Sequence, residues 1–162
     1  MTQIVGIVGK DSIVIGSDSQ FTGSCKQLEQ EKMQVIPFKD GQLVIAFAVA
    51  VGDARRALDI MREMAATLEL HDETSGAATA LKAISQYRRE VLNFYGSSKY
   101  LPPAEQDKIF SSDDRRFVVM LGYFYGSADD YKPALFTIDS AAGTLERKRD
   151  YGILGSGSDF AS

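Results

Sequence analysis

The chain has 162 residues, enough for a single domain over 1–162 with one sizeable core, and its 44% hydrophobic and 25% charged residues exclude the disordered and fibrous classes. A net charge of −4 with a pI near 5.0 gives no electrostatic reason to bind nucleic acid or an anionic membrane surface. The lone cysteine, Cys25, allows neither an intrachain disulfide nor a cysteine-type metal site and suits a reducing cytoplasm.

The start, Met1-Thr2-Gln3-Ile4-Val5-Gly6, lacks the basic region and long apolar core of a secretory signal. Residues 4–8 and 13–16 are β-rich around Gly9-Lys10-Asp11-Ser12, which predicts a hairpin. Residues 21–31 are polar and predict a loop or an irregular edge strand. Residues 33–38 and 43–51 predict two strands joined through Asp40-Gly41, a strong hairpin turn. The apolar run 43–52 is too short to cross a bilayer.

Gly52-Asp53 then opens a helix. Ala54, Ala57, Leu58, Met61, Met64, Ala65 and Leu68 recur every three or four residues and share one face. After a break at residues 71–76, a second helix is predicted over 77–95, ended by Gly96. Residues 97–116, with Pro102-Pro103 and several charges, predict a long exposed loop with at most a short helical turn. Strands resume at 117–125, 134–138 and 145–149. Two sheets with helices on an outer face would bury these stripes, an α+β arrangement.

Conventional catalytic sets fit poorly. His71 is the only histidine and lies in an inter-helix turn, where an exposed loop role is expected. Cys25 sits in a polar loop, no glycine-rich phosphate cradle is present, and no acidic or histidine cluster has metal spacing. No cofactor is indicated. The N-terminus is more informative. Methionine is usually trimmed before a residue as small as threonine, which would leave Thr2 with a hydroxyl and a free α-amine. That amine has a reference pKa of about 7.7–8.0 and can act as a base near neutrality. A threonine paired with its own amine is a nucleophile–base unit. Taken alone, Thr2 is better read as simply the first residue of an edge strand.

Three fragments supply context. They are Thr2 to Asp11 running on to Ile13-Val14-Ile15-Gly16-Ser17-Asp18-Ser19; Ala50-Val51-Gly52-Asp53-Ala54; and Gly155-Ser156-Gly157-Ser158-Asp159-Phe160-Ala161 after a strand. In this order and spacing the chain resembles the β-type subunits of proteasomes, in the N-terminal nucleophile hydrolase superfamily. The resemblance implies a four-layer αββα sandwich, with helices outside two sheets. It also implies assembly with other copies into a ring, peptide-bond hydrolysis inside a closed chamber, and unfolded polypeptide as substrate. An ATPase or an α-type ring is the implied partner, with no nucleic acid and no membrane.

Residue by residue, the resemblance makes Thr2 the nucleophile, Asp18 the aspartate ending the second strand, and Lys32 the lysine heading the third. Lys26 is the alternative lysine. Ser156 matches the first serine of the Gly-Ser-Gly-Ser motif. In that scheme Lys32 stabilises the alkoxide-like state and depresses the amine pKa, while Asp18 keeps Lys32 charged and oriented. Ser156 hydrogen-bonds the amine, and the backbone N–H of Val49 donates to the oxyanion. Phe21, Phe47 and Val51 are the expected pocket neighbours, with Phe47 at the floor.

Three departures qualify the pattern. Val49 stands where the family usually has glycine. The sequence stops just past Gly-Ser-Gly-Ser whereas the family continues, so the C-terminal part of the fold is expected to be incomplete. Met1, if retained, converts the Thr2 amine into an amide. Beside the peptidase stand two alternatives, a catalytically silent ring subunit and a small-amide hydrolase of the same superfamily.

Overall fold

The computed structural model describes residues 3–18, 20–22, 27–29, 32–39, 41–49, 51–94, 101–112, 115–127 and 129–155. β1 (Gln3–Val8) and β2 (Ile13–Ser17) form the expected hairpin, closed by the Gly9 N–H donating to the Ser12 carbonyl at 2.7 Å. β3 (Gln20–Thr22) and β4 (Gln27–Glu29) pair as a two-stranded ribbon. It occupies the segment expected as a loop or edge strand. β5 (Met33–Phe38) and β6 (Gly41–Val49) are the second hairpin.

Two helices follow, α1 (Val51–Ala65) and α2 (Ser75–Phe94), each within two residues of its expected start. The Thr74 N–H donates to Asp72 Oδ1 at 2.8 Å and Ser75 Oγ to the Asp72 carbonyl at 2.9 Å, an Asp-led turn that feeds α2. Residues 97–116 depart from expectation, because a third helix, α3 (Pro103–Ser111), lies within them. Pro103 sits at its first helical position, where a missing N–H costs nothing. Phe110 is buried in the core, its ring edge-on to Tyr87 at 6.3 Å with the Arg88 guanidinium 4.6 Å above it. One buried aromatic turns a polar, proline-marked stretch into a packed helix.

β7 (Phe117–Ser127) and β8 (Asp130–Asp139) form a longer hairpin than the predicted strands, since pairing runs out to Ser127 and Asp130. Gly126 makes that length possible. Its φ is +114°, and a Cβ there would lie 2.5 Å from the Asp130 carbonyl oxygen. β9 (Thr144–Lys148) follows, and after a bend a further strand, β10 (Tyr151–Gly155), crosses to the other sheet.

All pairings are antiparallel. Beside the β3–β4 ribbon, the orders among the described residues are β10-β1-β2 in a three-stranded sheet and β5-β6-β7-β8-β9 in a five-stranded one. α1 and α2 pack on one face of the five-stranded sheet. There Leu43, Ile45 and Phe47 of β6 and Phe117, Val119, Leu121 and Tyr123 of β7 meet the predicted helix stripe of Ala54, Ala57, Leu58 and Met61. The three-stranded sheet covers the opposite face through Ile4, Ala46, Ala48, Met120 and Leu135. Strict alternation along β6 and β7 therefore serves two cores, and their near-continuous apolar sequence follows from burial on both faces. The sheets approach closely at Gly6, where a Cβ would lie 2.5 Å from Met120 Sδ.

The described residues thus build helix, sheet and sheet, three of the four layers that the resemblance implies. Val5, Ile7, Val14 and Tyr151 are exposed on the remaining outer face of the three-stranded sheet. Among the described residues no helix is long and apolar enough to cross a membrane.

Candidate active site

Asp18 immediately follows β2, and Lys32 immediately precedes β5. One adjoins the three-stranded sheet and the other the five-stranded sheet, and Lys32 Nζ donates to Asp18 Oδ1 at 3.1 Å. This ion pair bridges the two sheets. Lys32 is only 2% exposed. A buried ammonium is costly unless it is paired, so the carboxylate is required by the burial as much as by any chemistry. The Lys32 carbonyl in turn accepts from the Phe47 N–H at 3.0 Å, which fixes the lysine backbone to β6 two residues before Val49.

The same carboxylate holds the start of β1. Asp18 Oδ1 accepts from the Gln3 N–H at 2.9 Å, and the Asp18 N–H donates to the Gln3 carbonyl at 3.1 Å. Gln3 is thereby gripped at both its backbone groups. Partial burial raises the Asp18 pKa, but the Gln3 amide and the Lys32 ammonium outweigh it and hold the carboxyl below its ordinary value of 3.8. On the other side of β1, Gln3 lies opposite Gly155 of β10. The next residues along the chain precede Gln3 and follow Gly155. They are Thr2 and Ser156, which lie outside the described residues.

β6 ends at Val49, paired with Phe117 of β7. Backbone groups alternate edges along an antiparallel strand, so the Val49 N–H points to the edge at which the Phe47 N–H meets Lys32. Phe47 is fully buried, its side chain in the core against the helices. Phe21 falls on β3 and Val51 opens α1, and their side chains lie outside the described ones, as do Cys25 and Lys26. His71 is exposed, 2.7 Å from Glu69. Of the predicted site residues, the structure thus brings together Asp18, Lys32 and the β6 backbone leading to Val49. The grip on Gln3 is new relative to the sequence. Its only sequence trace is the tight β1–β2 connection, which sets Asp18 one rung beyond the Ile4–Ser17 pair.

Two stacked sheets faced with helices fit the sandwich fold of the N-terminal nucleophile hydrolases. Comparison with known proteins gives the family. The sequence model of the proteasome subunit family matches residues 2–162, and the chain belongs to that family. It is similar to proteasome subunit beta 1 of Thermococcus onnurineus, 29% identical over 160 residues, covering 99% of this chain and 66% of the relative. It is also similar to proteasome subunit beta 2 of Pyrococcus furiosus, 30% identical over 161 residues, covering 99% and 65%. The chain thus spans just under two thirds of these relatives' length. In fold it resembles the Anbu complex of Pseudomonas aeruginosa, solved as a helical assembly, with a TM-score of 0.68 and 17% identity over 96% of this chain and 61% of that one. It also resembles HslV of Trypanosoma brucei, with a TM-score of 0.54 and 18% identity over 98% and 74%.

Proposed function

We propose that this chain is a proteasome-like threonine peptidase subunit that becomes active when Met1 is removed. The observation that carries the proposal is the Asp18–Lys32 pair whose carboxylate also grips the Gln3 backbone. A buried cation is held beside the residue that follows Thr2 in the chain, which is where a nucleophile–base unit at the terminus needs one.

The chemistry follows from those groups. The α-amine of Thr2 accepts the proton of its own hydroxyl as Oγ attacks the peptide carbonyl carbon. Lys32 stabilises the developing alkoxide and depresses the amine pKa, so that the amine is unprotonated near neutrality. Asp18 keeps Lys32 charged and aimed. The Val49 N–H donates to the oxyanion, and Ser156 hydrogen-bonds the amine and relays its proton. The tetrahedral intermediate collapses with the amine returning the proton to the leaving nitrogen. Water then cleaves the threonine ester, with the same amine as base.

In this proposal the substrate is unfolded polypeptide, and the working form is a ring of copies in the cytoplasm, served by an ATPase or an α-type ring. A second reading has a specific observation in its favour. Phe47, the expected pocket floor, is fully buried, which suits a silent ring subunit or a small-amide hydrolase. Intact mass before and after an N-terminal-threonine-directed β-lactone separates them. The peptidase predicts loss of Met1, one adduct on Thr2 and cleavage of long peptides. A trimmed, assembled chain without an adduct would point to the silent subunit. An adduct without cleavage of long peptides would point to the small-amide enzyme.

A further inference from the structure

A buried tyrosine that the chemistry above does not use contacts the corner from which the oxyanion donor is presented. Only Ala50 separates the end of β6 from the start of α1. The first turn of α1 therefore begins two residues after Val49 in the chain. Asp53 lies in that first turn. Its Oδ1 accepts from the Tyr87 hydroxyl at 2.5 Å and lies 3.7 Å from Arg115 Nη1. Tyr87 comes from the middle of α2 and Arg115 from the approach to β7, so three segments converge on one carboxylate.

The tyrosine is held firmly. It is 2% exposed, and its ring packs edge-on against Phe110 at 6.3 Å and Phe117 at 5.8 Å. Phe117 is the residue opposite Val49 in the β6–β7 ladder. Tyr87 therefore braces the corner from both sides, through Asp53 and through the ladder partner of Val49. There is also an electrostatic reason for the contact. An unpaired carboxylate in that turn would oppose the negative charge that forms on the substrate oxygen, and the hydroxyl and the guanidinium offset it. Burial, and then Asp53, hold the Tyr87 hydroxyl far above its ordinary pKa, so it remains a donor across the whole neutral range.

We propose that Tyr87 and Arg115 clamp Asp53 to fix the β6–α1 corner, which makes Tyr87 a positioning residue for acylation of Thr2. The proposal rests on the threonine-peptidase reading above. Its experiment uses the chain starting at Thr2 and compares the parent with Tyr87→Phe, Arg115→Gln and Arg56→Gln. Arg56 is the control, because its bidentate pair with Glu90, at 3.0 and 3.1 Å, also ties α1 to α2 but on the exposed side. Amide exchange is followed on peptides covering residues 47–58, together with the β-lactone labelling rate, kcat and KM.

Tyr87→Phe is expected to raise corner exchange about tenfold, as loss of a hydrogen bond to a charged group would. It should slow labelling and kcat about tenfold with KM within about twofold. Arg115→Gln should act in the same direction by about threefold and covers the case in which Tyr87→Phe does not fold. Arg56→Gln should change none of these. Corner exchange equal to the parent in both clamp variants would overturn the clamp. Raised exchange with unaltered labelling of an active parent would overturn the positioning role and leave the peptidase reading intact. A parent that does not label would remove the peptidase reading and the positioning role with it, while raised exchange would still establish the corner contact.

Discussion

The two faces of the five-stranded sheet are packed to different depths. Against the helices, Leu43, Ile45, Phe47, Phe117, Val119, Leu121, Tyr123, Phe136 and Ile138 interlock with a small-residue helix surface of Ala54, Ala57, Ala77, Ala80 and Ala83. Against the other sheet the fully buried set is Ile4, Ala46, Ala48, Met120 and Leu135. Hydrophobic stabilisation scales with the area removed from water, so the helix side carries most of it. The thin side lets the sheets approach at Gly6 and carries at its end a cross-sheet ion pair, Asp18–Lys32. Most of the apolar burial and the proposed catalytic pair thus lie on opposite faces of the same sheet, and substitutions on the two faces should fail differently.

The largest expected effect lies on the thin side and concerns activity. Lys32→Met in the Thr2-initiated chain should lower β-lactone labelling by about a thousandfold or more. Its thermal stability should fall only moderately, because removing the lysine leaves the Asp18 carboxylate without its cation but that carboxylate is about a third exposed and can be solvated. A large fall in stability with labelling preserved would invert the comparison. On the thick side, Phe136→Ala should cost about 3–5 kcal/mol of unfolding free energy, measured by denaturant titration.

Gly6→Ala tests how tightly the sheets meet. The added methyl presses on the flexible end of Met120 and on Leu135, and a loss of about 1–2 kcal/mol is expected. A neutral result would mean that the thin core can widen. Asp18→Asn tests the ion pair through pH. The folded-state pKa of Asp18 lies below the ordinary 3.8, so its stabilising contribution is fully present above that value and is lost as pH falls through the folded pKa. The parent should therefore exceed Asp18→Asn in stability at pH 7, and the two unfolding curves should converge below about pH 4. A gap that persists in acid would assign the effect to lost packing. The smallest effect should come from Lys132→Gln, which removes the exposed pair with Asp130 and should shift the midpoint barely measurably.

Legibility in the sequence tracked how local each determinant is. The β1–β2 and β5–β6 hairpins were readable because turn residues and alternating strands lie within a dozen positions. The α1 stripe was readable because its period falls within one helix. α3 was hidden because its burial rests chiefly on Phe110 meeting Tyr87 and Arg88, more than twenty residues earlier. β10 was hidden because leaving one sheet for another after a bend has no periodic signature. Asp18 and Lys32 were legible only through the family-like order of the motifs. Composition and spacing would have left them as a turn carboxylate and a surface lysine, and the lysine proves to be buried.

The sequence by itself determined the strand and helix alternation that names the α+β class and the Thr2 just ahead of the first strand, because both depend on neighbouring residues. Only the tertiary structure decided that Asp18 grips Gln3 while pairing with Lys32, and that Tyr87 reaches Asp53 across 34 residues. These contacts join segments whose sequences impose no mutual constraint until the sheets stack. Stacking is driven by non-directional apolar burial, and the polar partners are then selected by the cost of leaving a buried donor or charge unmet.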